Sequence, residues 1–495
     1  MKDTHGTPAT HPRGAGRHRD SEIPLVVDLD GTLIRTDMLV ESTLRLLRDR
    51  PLDLFRLPAW LAQGKAALKR RLAERTGFDP AGLPYHRPLL DWLHEQRRQG
   101  RCLVLCTASD AVVAQAIADH LEIFDEVLAS DGARNLSGAH KAAALAQRFG
   151  SAGFDYAGNA AADLPVWERA RRAIPVNAGD RLTRRAANRC TVDRVFPPAN
   201  QAGAILRTLR PHQWLKNLLL FIPMLAAHRI ADPSAWGTLV LALLSFSLCA
   251  SSVYIGNDLL DLDSDRQHPR KCRRPFAAGL MPAWAGLLLA PLLLLASVVL
   301  GSRVGTPFLS VLFIYFALTC AYSLRLKRLP LLDCVTLALL YMLRVVAGAA
   351  ALTMPLSFWL LAFSVFLFLS LAFVKRYAEL QTLMLQGKHQ VHGRGYATAD
   401  AALLQIQGMA SGYAAVVVLA LYLNSEAVLR LYRSPEFVWG AVLAVLFWIN
   451  WMWLQAHRGR MHDDPLVFAV KDKASLAAGL MGAICVTIGA LGSPW

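Results

Sequence analysis

Paired cysteines are missing from this sequence. Its eight cysteines are scattered over 495 residues, and none belongs to a C-x-x-C pair. Zinc ribbons and dithiol redox sites are built on such pairs, and small secreted domains need a denser set for their disulfides. The pattern argues against all three classes. We expect reduced thiols with a structural role, such as Cys102 and Cys106 in an apolar segment.

The first residues lack an apolar stretch. The opening "MKDTHGTPATHPRGAGRHRD" is polar and contains glycine, proline and arginine. A secretory signal needs an apolar central region, so we expect none here. Residues 1–21 are predicted to form a disordered tail.

Acidic residues are scarce after residue 200. Residues 1–200 carry 29 Lys and Arg against 24 Asp and Glu, whereas residues 201–495 carry 24 against 13. A basic balance can indicate nucleic-acid binding, but here the positive residues cluster beside apolar segments, as they do in membrane proteins. We therefore predict a soluble first part, a membrane-embedded second part and no nucleic-acid partner.

Long apolar segments fill the second part, and several are long enough to cross a bilayer. We predict an all-α integral membrane bundle of about nine transmembrane helices within residues 203–495. They lie near residues 215–231, 236–256, 283–302, 305–324, 331–352, 356–374, 403–424, 436–455 and 474–492.

Lys and Arg are distributed unevenly between the loops of this bundle. The loops on one side carry 16, and the alternate loops carry 4. Positive loops stay in the cytoplasm. The richer side and the N-terminal domain are therefore predicted to face the cytoplasm of a bacterial-type inner (plasma) membrane. The richer loops are 257–281, 322–330, 375–396 and 456–473.

The segment "NDLLDLDSDRQHPRKCRRP" follows one of the apolar runs. On a helix, Asp258, Asp261 and Asp265 share one stripe, Asn257 borders it and Asp263 points away. Three carboxylates on one face repel one another unless a cation joins them, and Mg²⁺ binds carboxylates together with substrate phosphate oxygens. The stripe predicts a Mg²⁺–diphosphate platform. Basic residues after it can neutralise further phosphate charge: Arg266, His268, Lys271, Arg273 and Arg274.

This segment resembles the first motif of the UbiA superfamily of membrane transferases, N-D-x-x-D-x-x-x-D, which is complete here. The resemblance covers residues 203–495 and implies nine spans. Aromatic prenyltransferases of the superfamily have a second motif, D-x-x-x-D, but here Asp333 is followed four residues later by Leu337. The second aspartate is absent, and the surrounding polar residues are Tyr322, Arg325, Lys327 and Arg344.

Several further stretches resemble decaprenyl-phosphate phosphoribosyltransferases. They are "LRPHQWLKNLLLF", "YSLRLKRLPLLD", "LRVVAG" and "VKRYAEL". The resemblance implies transfer of 5-phosphoribose from phosphoribosyl diphosphate to a polyprenyl phosphate in the membrane. The lipid monophosphate then needs cations, for which the candidates are Lys216, Arg344, Lys375 and Arg376. Glu379 either closes a polar network with them or is merely exposed.

Each of these cations has an alternative role. Arg344 can pair with Asp333 to brace the bundle, and Lys375 and Arg376 can anchor a helix end. A loop that could cap the site carries His389, His392, Arg394 and Tyr396.

Apolar strands alternate with helical segments in residues 22–195. "IPLVVDLDGTLIRTD" ends its β-branched run at Asp28 and Asp30, and "CLVLCTAS", "GAHKAAALAQRFG" and "FDYAGNAAADLPVW" follow. This alternation predicts an α/β Rossmann-like domain with a parallel sheet. Functional residues belong at the carboxyl ends of its strands.

These four stretches resemble the haloacid dehalogenase superfamily. The resemblance implies that Asp28 is a nucleophile and Asp30 a general acid/base. It further implies that Thr107 binds phosphate, that Lys141 offsets its charge and that residues 37–85 form a small cap. The Mg²⁺ ligands implied are Asp28, Asp30, Asn159 and Asp163. Asn159 replaces the usual aspartate, which leaves open a degenerate domain kept for folding or regulation.

Together these patterns predict a membrane phosphoribosyltransferase fused to a phosphohydrolase that removes the 5-phosphate of the product. The product would be a lipid-linked pentose donor for cell-envelope glycans. Two alternatives remain: an aromatic prenyltransferase of quinone or haem type, and a non-catalytic scaffold or transporter with a phosphate-sensing domain. The sequence leaves the polyprenyl length and the oligomeric state open.

Overall fold

The computed structural model describes residues 22–198, 201–385, 395–425, 432–461 and 464–491. The expected tail 1–21 and the loop residues His389, His392 and Arg394 lie outside the described residues. The chain forms two compact units. The first comprises Met1–Thr208 and Ile255–Leu289, and the second comprises Leu209–Tyr254 and Ala290–Trp495. Residues 255–289, expected in the membrane domain, thus group with the N-terminal unit.

The first unit contains a parallel sheet of six strands. They are β1 (Leu25–Val27), β2 (Leu103–Asp110), β3 (Glu126–Ser130), β4 (Asp155–Gly158), β5 (Arg172–Pro175) and β6 (Thr191–Val192). Their order is β3-β2-β1-β4-β5-β6. Leu25 lies opposite Leu103 on one side and Asp155 on the other. The predicted α/β fold class is confirmed.

Both faces of this sheet are buried. Leu25 and Val27 belong to one apolar cluster, whereas Val26 and Tyr156 belong to another. This alternation follows from the two-residue period of a strand. Three helices lie in the segment 37–85: α1 (Met38–Asp49), α2 (Leu57–Ala62) and α3 (Lys65–Arg75). The other helices of this part of the chain are α4 (Arg87–Arg98), α5 (Ala111–Leu121), α6 (Ala139–Phe149), α7 (Leu164–Trp167) and α8 (Asp180–Ala187).

The remainder of the described chain is helical. Its helices are α9 (Gln201–Leu209), α10 (Ile222–Ala226), α11 (Pro233–Leu260), α12 (Leu262–Gln267), α13 (Ala283–Val304), α14 (Thr306–Leu324), α15 (Leu332–Ala351), α16 (Phe358–Leu385), α17 (Ala401–Leu423), α18 (Pro435–His457), α19 (Pro465–Lys471) and α20 (Lys473–Leu491).

Eight helices of the described chain are long and apolar enough to cross a membrane, which confirms the predicted helical membrane bundle. The difference from nine lies at the predicted first span, 215–231. There the chain forms a 3₁₀ segment, Pro211–Phe221, followed by the five-residue α10. This 3₁₀ segment packs tightly on α15, because a Cβ atom on Gly348 would lie 2.0 Å from the carbonyl oxygen of Leu220.

Candidate functional site

Asp28 follows β1 directly and lies in a buried polar chain. The Lys141 ammonium donates to Asp28 Oδ1 at 2.6 Å and to the Tyr156 hydroxyl at 3.0 Å. Thr32 Oγ1 donates to Asp28 Oδ2 at 3.3 Å. Burial raises the pKa of Asp28 to about 6, although Lys141 opposes the shift. The Lys141 ammonium therefore stabilises the ionised form of a carboxylate whose ionisation is disfavoured by burial.

Asp30 lies two residues further on, where it receives two donors. Ser109 Oγ donates to Asp30 Oδ2 at 2.6 Å, and the Met38 amide donates to Asp30 Oδ1 at 2.8 Å. Burial and the charge of Asp37 raise the pKa of Asp30 to about 7. A carboxyl group with a pKa near neutrality can both release and accept a proton, as general acid–base catalysis requires. Thr107 lies in β2, fully buried, and its Oγ1 accepts from the Ser109 amide at 3.0 Å.

The loops after β1 and β4 meet beside these aspartates. A Cβ atom on Gly31, whose φ is +76°, would lie 2.0 Å from Asn159 Nδ2. Asp163 Oδ1 accepts from the Tyr156 hydroxyl at 2.9 Å, and Oδ2 accepts from the amides of Asn159 and Ala160 at 3.0 and 2.9 Å. Chain donors thus occupy both oxygens of Asp163. The convergence of the Asp28 loop with Asn159 still fits a Mg²⁺ site, since this ion needs only one or two carboxylates besides phosphate and water.

The predicted diphosphate platform lies at the end of α11. The helix stops at Leu260, α12 begins at Leu262, and Asp261 stands between them with φ −96° and ψ 12°. The Asp261 and Asp265 amides still donate to the carbonyls four residues earlier, at 2.9 and 2.8 Å. Arg274 joins two of the three predicted carboxylates: its Nη1 donates to Asp258 Oδ1 at 2.9 Å and to Asp265 Oδ2 at 2.6 Å.

One carboxylate oxygen of Asp265 is not used in any hydrogen bond among the described residues. This oxygen, Oδ1, is buried. Burial raises the pKa of Asp265, while Arg274 opposes the shift. In the described part of the chain, no three His, Cys, Asp or Glu side chains are grouped so as to hold a metal ion. Two carboxylates, one with an unsatisfied oxygen, nevertheless suit Mg²⁺, which completes its shell with phosphate and water.

The other predicted phosphate-binding residues of this segment are placed differently. Arg266 donates to Glu41, and Asp263 accepts from Arg45 and Arg48. Asn257 and Lys271 are half-buried, and Arg273 is exposed; Lys271 and Arg273 lie in the 3₁₀ turn Lys271–Arg273.

In the second unit, two predicted cations share one carboxylate. The Lys216 and Lys375 ammonium groups donate to Asp464 Oδ2 at 2.8 and 3.0 Å, and the Tyr341 hydroxyl donates to Oδ1 at 2.9 Å. Lys216, Tyr341 and Asp464 are all buried. Burial raises the pKa of Asp464, but the two lysines outweigh it and hold that pKa well below the usual range.

Arg344, the third cation, is surrounded by neutral groups. Its Nε donates to Asn217 Oδ1 at 2.9 Å, its Nη1 to the carbonyl of Leu340 and its Nη2 to the Tyr315 hydroxyl at 3.1 Å. The guanidinium carbon lies 5.7 Å from the centre of the Tyr341 ring. Arg344 is 4% exposed, and among the described residues its hydrogen-bond partners are neutral, so it is a buried charge without a bonded carboxylate.

Arg376, not Arg344, is the partner of Asp333. Its Nε and Nη2 donate to the two Asp333 oxygens, Nη2 also donates to the Tyr322 hydroxyl at 2.9 Å, and Nη1 donates to Glu379 Oε2 at 2.6 Å. Tyr322 in turn donates to Asp333 Oδ1 at 2.8 Å. This fork-to-fork geometry explains why the alternative Arg344–Asp333 brace does not form. Lys327 is half-buried in the 3₁₀ turn Leu326–Arg328.

We expect Asp333→Asn to destabilise the protein by about 3 to 5 kcal/mol, because it removes the buried, two-pronged carboxylate partner of Arg376 and leaves, among the described residues, only the partly exposed Glu379 to balance that charge. Asp333 is 0% and Arg376 1% exposed. Thermal unfolding in detergent measures the loss. The exposed Glu436→Gln, on α18, is the control and should leave the melting temperature unchanged; equal melting temperatures for both variants would contradict the expectation.

Several of these partners escaped sequence reasoning. Asp464 lies in a loop whose visible signal is its positive charge, Tyr341 lies in an apolar segment, and Asn217 lies in the quoted stretch "LRPHQWLKNLLLF" without a role of its own. Ser109 and Tyr156 likewise belong to strands that read as core. One local signal for these partners is that Asn217 directly follows the predicted phosphate-binding residue Lys216 in "HQWLKN".

Comparison with known proteins gives relatives for most of the chain. "Uncharacterized protein y4nM" of Sinorhizobium fredii is 38% identical over 466 residues, 93% of this chain and 90% of that protein. "Nodulation protein NoeC" of Azorhizobium caulinodans is 38% identical over 268 residues, 54% of this chain and 87% of that protein. "Decaprenyl-phosphate phosphoribosyltransferase" of Mycolicibacterium smegmatis is 39% identical over 191 residues, 37% of this chain and 59% of that protein.

Solved structures resemble each part of the chain. A UbiA homologue from Archaeoglobus fulgidus bound to DMAPP and Mg²⁺ covers 57% of this chain and 96% of its own, with 18% identity and a TM-score of 0.41. A substrate-bound phosphoserine phosphatase covers 37% of this chain and 97% of its own, with 13% identity and a TM-score of 0.25.

The UbiA prenyltransferase family model matches residues 218–477. This stretch contains all the candidate residues of the membrane part except Lys216 and Asn217, and it is more than half of the 495 residues. The chain therefore belongs to the UbiA prenyltransferase family, and it is a multi-pass membrane protein.

Proposed function

We propose that this protein transfers 5-phosphoribose from phosphoribosyl diphosphate to a polyprenyl phosphate with the help of Mg²⁺. We further propose that its N-terminal domain, residues 22–195, removes the 5-phosphate from the product. The membrane part, residues 203–495, would carry out the transfer.

The observation that carries the proposal is the charge balance of the second unit. This unit places three cations together: Lys216, Lys375 and Arg344. Among the described residues, Asp464 is the one carboxylate that is hydrogen-bonded to any of them; it accepts from the two lysines, whereas Arg344 donates to the neutral Asn217. An excess of positive charge inside a membrane bundle is costly unless an anion compensates it. A lipid phosphate supplies such an anion.

The donor would bind through the end of α11. Asp258 and Asp265 would hold Mg²⁺, which neutralises the diphosphate when bound, and Arg274 would turn towards the phosphate oxygens. Asn257 and Asp261 flank these carboxylates, and Lys271 and Arg273 follow in the chain. The acceptor phosphate oxygen then attacks C1 of the ribose, and diphosphate leaves.

The aromatic prenyltransferase alternative needs a second aspartate pair for the isoprenoid diphosphate. Here Asp333 stands without its second aspartate, and both of its oxygens accept from Arg376. This occupied carboxylate favours the phosphoribosyl donor. The scaffold alternative does not account for buried carboxylates such as Asp265 that keep an unsatisfied oxygen.

The phosphatase step would use the Asp28 site. The Asp28 carboxylate attacks the phosphorus of the 5-phosphate, and an aspartyl-phosphate forms. Asp30 gives its proton to the departing ribose oxygen and later takes one from the water that hydrolyses the intermediate. Lys141 and Thr107 would hold the phosphate, and Mg²⁺ held by Asp28, Asp30 and Asn159 would offset its charge.

Cellular placement follows from the loop charges. With the Lys- and Arg-rich loops in the cytoplasm, both sites face the cytoplasm of a bacterial inner membrane, where soluble phosphoribosyl diphosphate is available. Polyprenyl-phosphoryl ribose would then serve as a lipid-linked pentose donor for cell-envelope glycans. The name of the Mycolicibacterium smegmatis relative supports this substrate class.

The test uses purified full-length protein, phosphoribosyl diphosphate labelled in the ribose, a short polyprenyl phosphate and Mg²⁺. We expect label in the lipid extract only when Mg²⁺ is present. An isoprenyl diphosphate with 4-hydroxybenzoate should give no product. Prenylation of the aromatic acid in place of lipid labelling would favour the aromatic prenyltransferase and overturn the proposal.

A further inference from the structure

Helix α1 is joined to α12 by a cluster of ion pairs, all within the first unit. Arg266 Nη1 and Nη2 donate to Glu41 Oε2 and Oε1 at 3.0 and 2.5 Å. Arg45 Nη2 donates to Glu41 Oε2 at 2.9 Å and to Asp263 Oδ1 at 2.8 Å. Arg48 Nη1 donates to Asp263 Oδ2 at 2.9 Å. Five charged groups from two distant parts of the sequence are thus joined in one network.

The centre of the network is shielded from solvent. The side chains of Glu41, Arg45 and Arg266 are 1%, 5% and 6% exposed. Exposed ion pairs contribute little, but a buried carboxylate that loses its cation is strongly unfavourable. The Glu41–Arg266 pair is also bidentate, and this geometry fixes orientation as well as distance. The pair therefore fixes the guanidinium of Arg266 in one place.

Arg266 is the neighbour of a donor-site carboxylate. Asp265 precedes it in α12, and Arg274 connects Asp265 to Asp258. Arg266 Nε also donates to the carbonyl of Ala277 at 3.3 Å, which ties α12 to the chain beyond Arg274. A rigid Arg266 therefore fixes the direction in which Asp265 points and the loop that returns Arg274 to it.

We propose that Glu41 is a positioning residue of the transferase: it acts through Arg266 to hold Asp258 and Asp265 in place for the donor diphosphate. The N-terminal domain then contributes to the transfer step itself, besides any phosphatase activity. This inference rests on the proposed transferase function. Glu41 would act through Arg266 and is therefore a positioning residue, not a catalytic one.

A double-mutant cycle tests the proposal. The variants are Glu41→Gln, Arg266→Gln and the double variant, each assayed as full-length protein for transfer from phosphoribosyl diphosphate to a short polyprenyl phosphate. We expect each single variant to raise the donor KM by about 10- to 100-fold, the range for residues that orient ligand-holding groups. The KM for polyprenyl phosphate should stay within about twofold, and the double variant should be no worse than the worse single variant.

Glu95→Gln is the matched control, since it makes the same change in the same unit at an exposed ion pair with Arg98. It should leave both KM values at the wild-type level. If Glu41→Gln does not fold, Glu41→Asp, which keeps the charge on a shorter side chain, takes its place with a smaller rise expected.

The outcomes separate the two proposals. If the wild-type protein transfers no phosphoribose, the proposed function fails. If the wild type is active but Glu41→Gln has an unchanged donor KM, or changes both KM values alike, the positioning role is wrong. Additive effects of the two substitutions on the donor KM would also overturn it.

Discussion

Asp265→Asn is expected to reduce phosphoribose transfer by about 100- to 1,000-fold, the loss typical when one preorganised group at a developing charge is removed. The substitution keeps the shape of the side chain but removes the charge that Arg274 and a divalent cation share. Asp265 is 1% exposed, and its Oδ1 has no hydrogen-bond partner among the described residues. Initial rates of lipid labelling at saturating donor measure the loss.

Asp91→Asn provides the comparison for this experiment. Asp91 is exposed on α4, so the same chemical change should leave transfer and thermal stability at the wild-type level. Raising the Mg²⁺ concentration should restore part of the lost activity in Asp265→Asn, because a weaker site fills at higher concentration. Full activity in Asp265→Asn at low Mg²⁺ would exclude this carboxylate from the donor site.

Asp28→Asn is expected to abolish phosphate release from the lipid product. An amide cannot form the aspartyl-phosphate, and it weakens the 2.6 Å contact that the Lys141 ammonium makes with Oδ1. Transfer itself should continue, because none of the proposed transferase residues belongs to this site. The variant should therefore accumulate lipid-linked phosphoribose with its 5-phosphate attached.

Mass spectrometry of the extracted lipid distinguishes the two products by one phosphate group, and released inorganic phosphate is measured in the same sample. The transfer rate of the variant serves as its own control for folding. If wild type and variant give the same phosphorylated lipid, and neither releases phosphate, the N-terminal domain does not act on this product.

The positions of motif residues in the first unit could be anticipated from strand order, whereas their roles stay predictions. Asp28, Asp30, Thr107, Lys141 and Asn159 were proposed from short motifs, and a parallel sheet brings the carboxyl ends of its strands to one edge. The structure brings Asp28 to Lys141 and the loop of Gly31 to Asn159. The eight long apolar helices were equally accessible, because their length is set by the bilayer.

The remaining contacts depend on pairings between distant parts of the chain. Lys216 and Asp464 are 248 positions apart, and Arg266 and Glu41 are 225 positions apart. A sequence pattern describes periodicity within one segment and cannot show pairings between distant segments. It therefore predicts that Arg266 binds phosphate, and it predicts no role for Asp464. At the predicted first span the apolar composition is present, but the segment is divided into the 3₁₀ stretch Pro211–Phe221, which packs against Gly348, and a five-residue helix.

The discontinuity of the first unit has a consequence for biosynthesis. Met1–Thr208 leaves the ribosome before Ile255–Leu289, and most of helix α11, a candidate membrane span, is translated between them. Domains usually fold one after another as the chain is made, at about 5–20 residues per second. Here the N-terminal unit lacks its last segment until α11 has been synthesised, so folding of this unit and membrane insertion are linked in time.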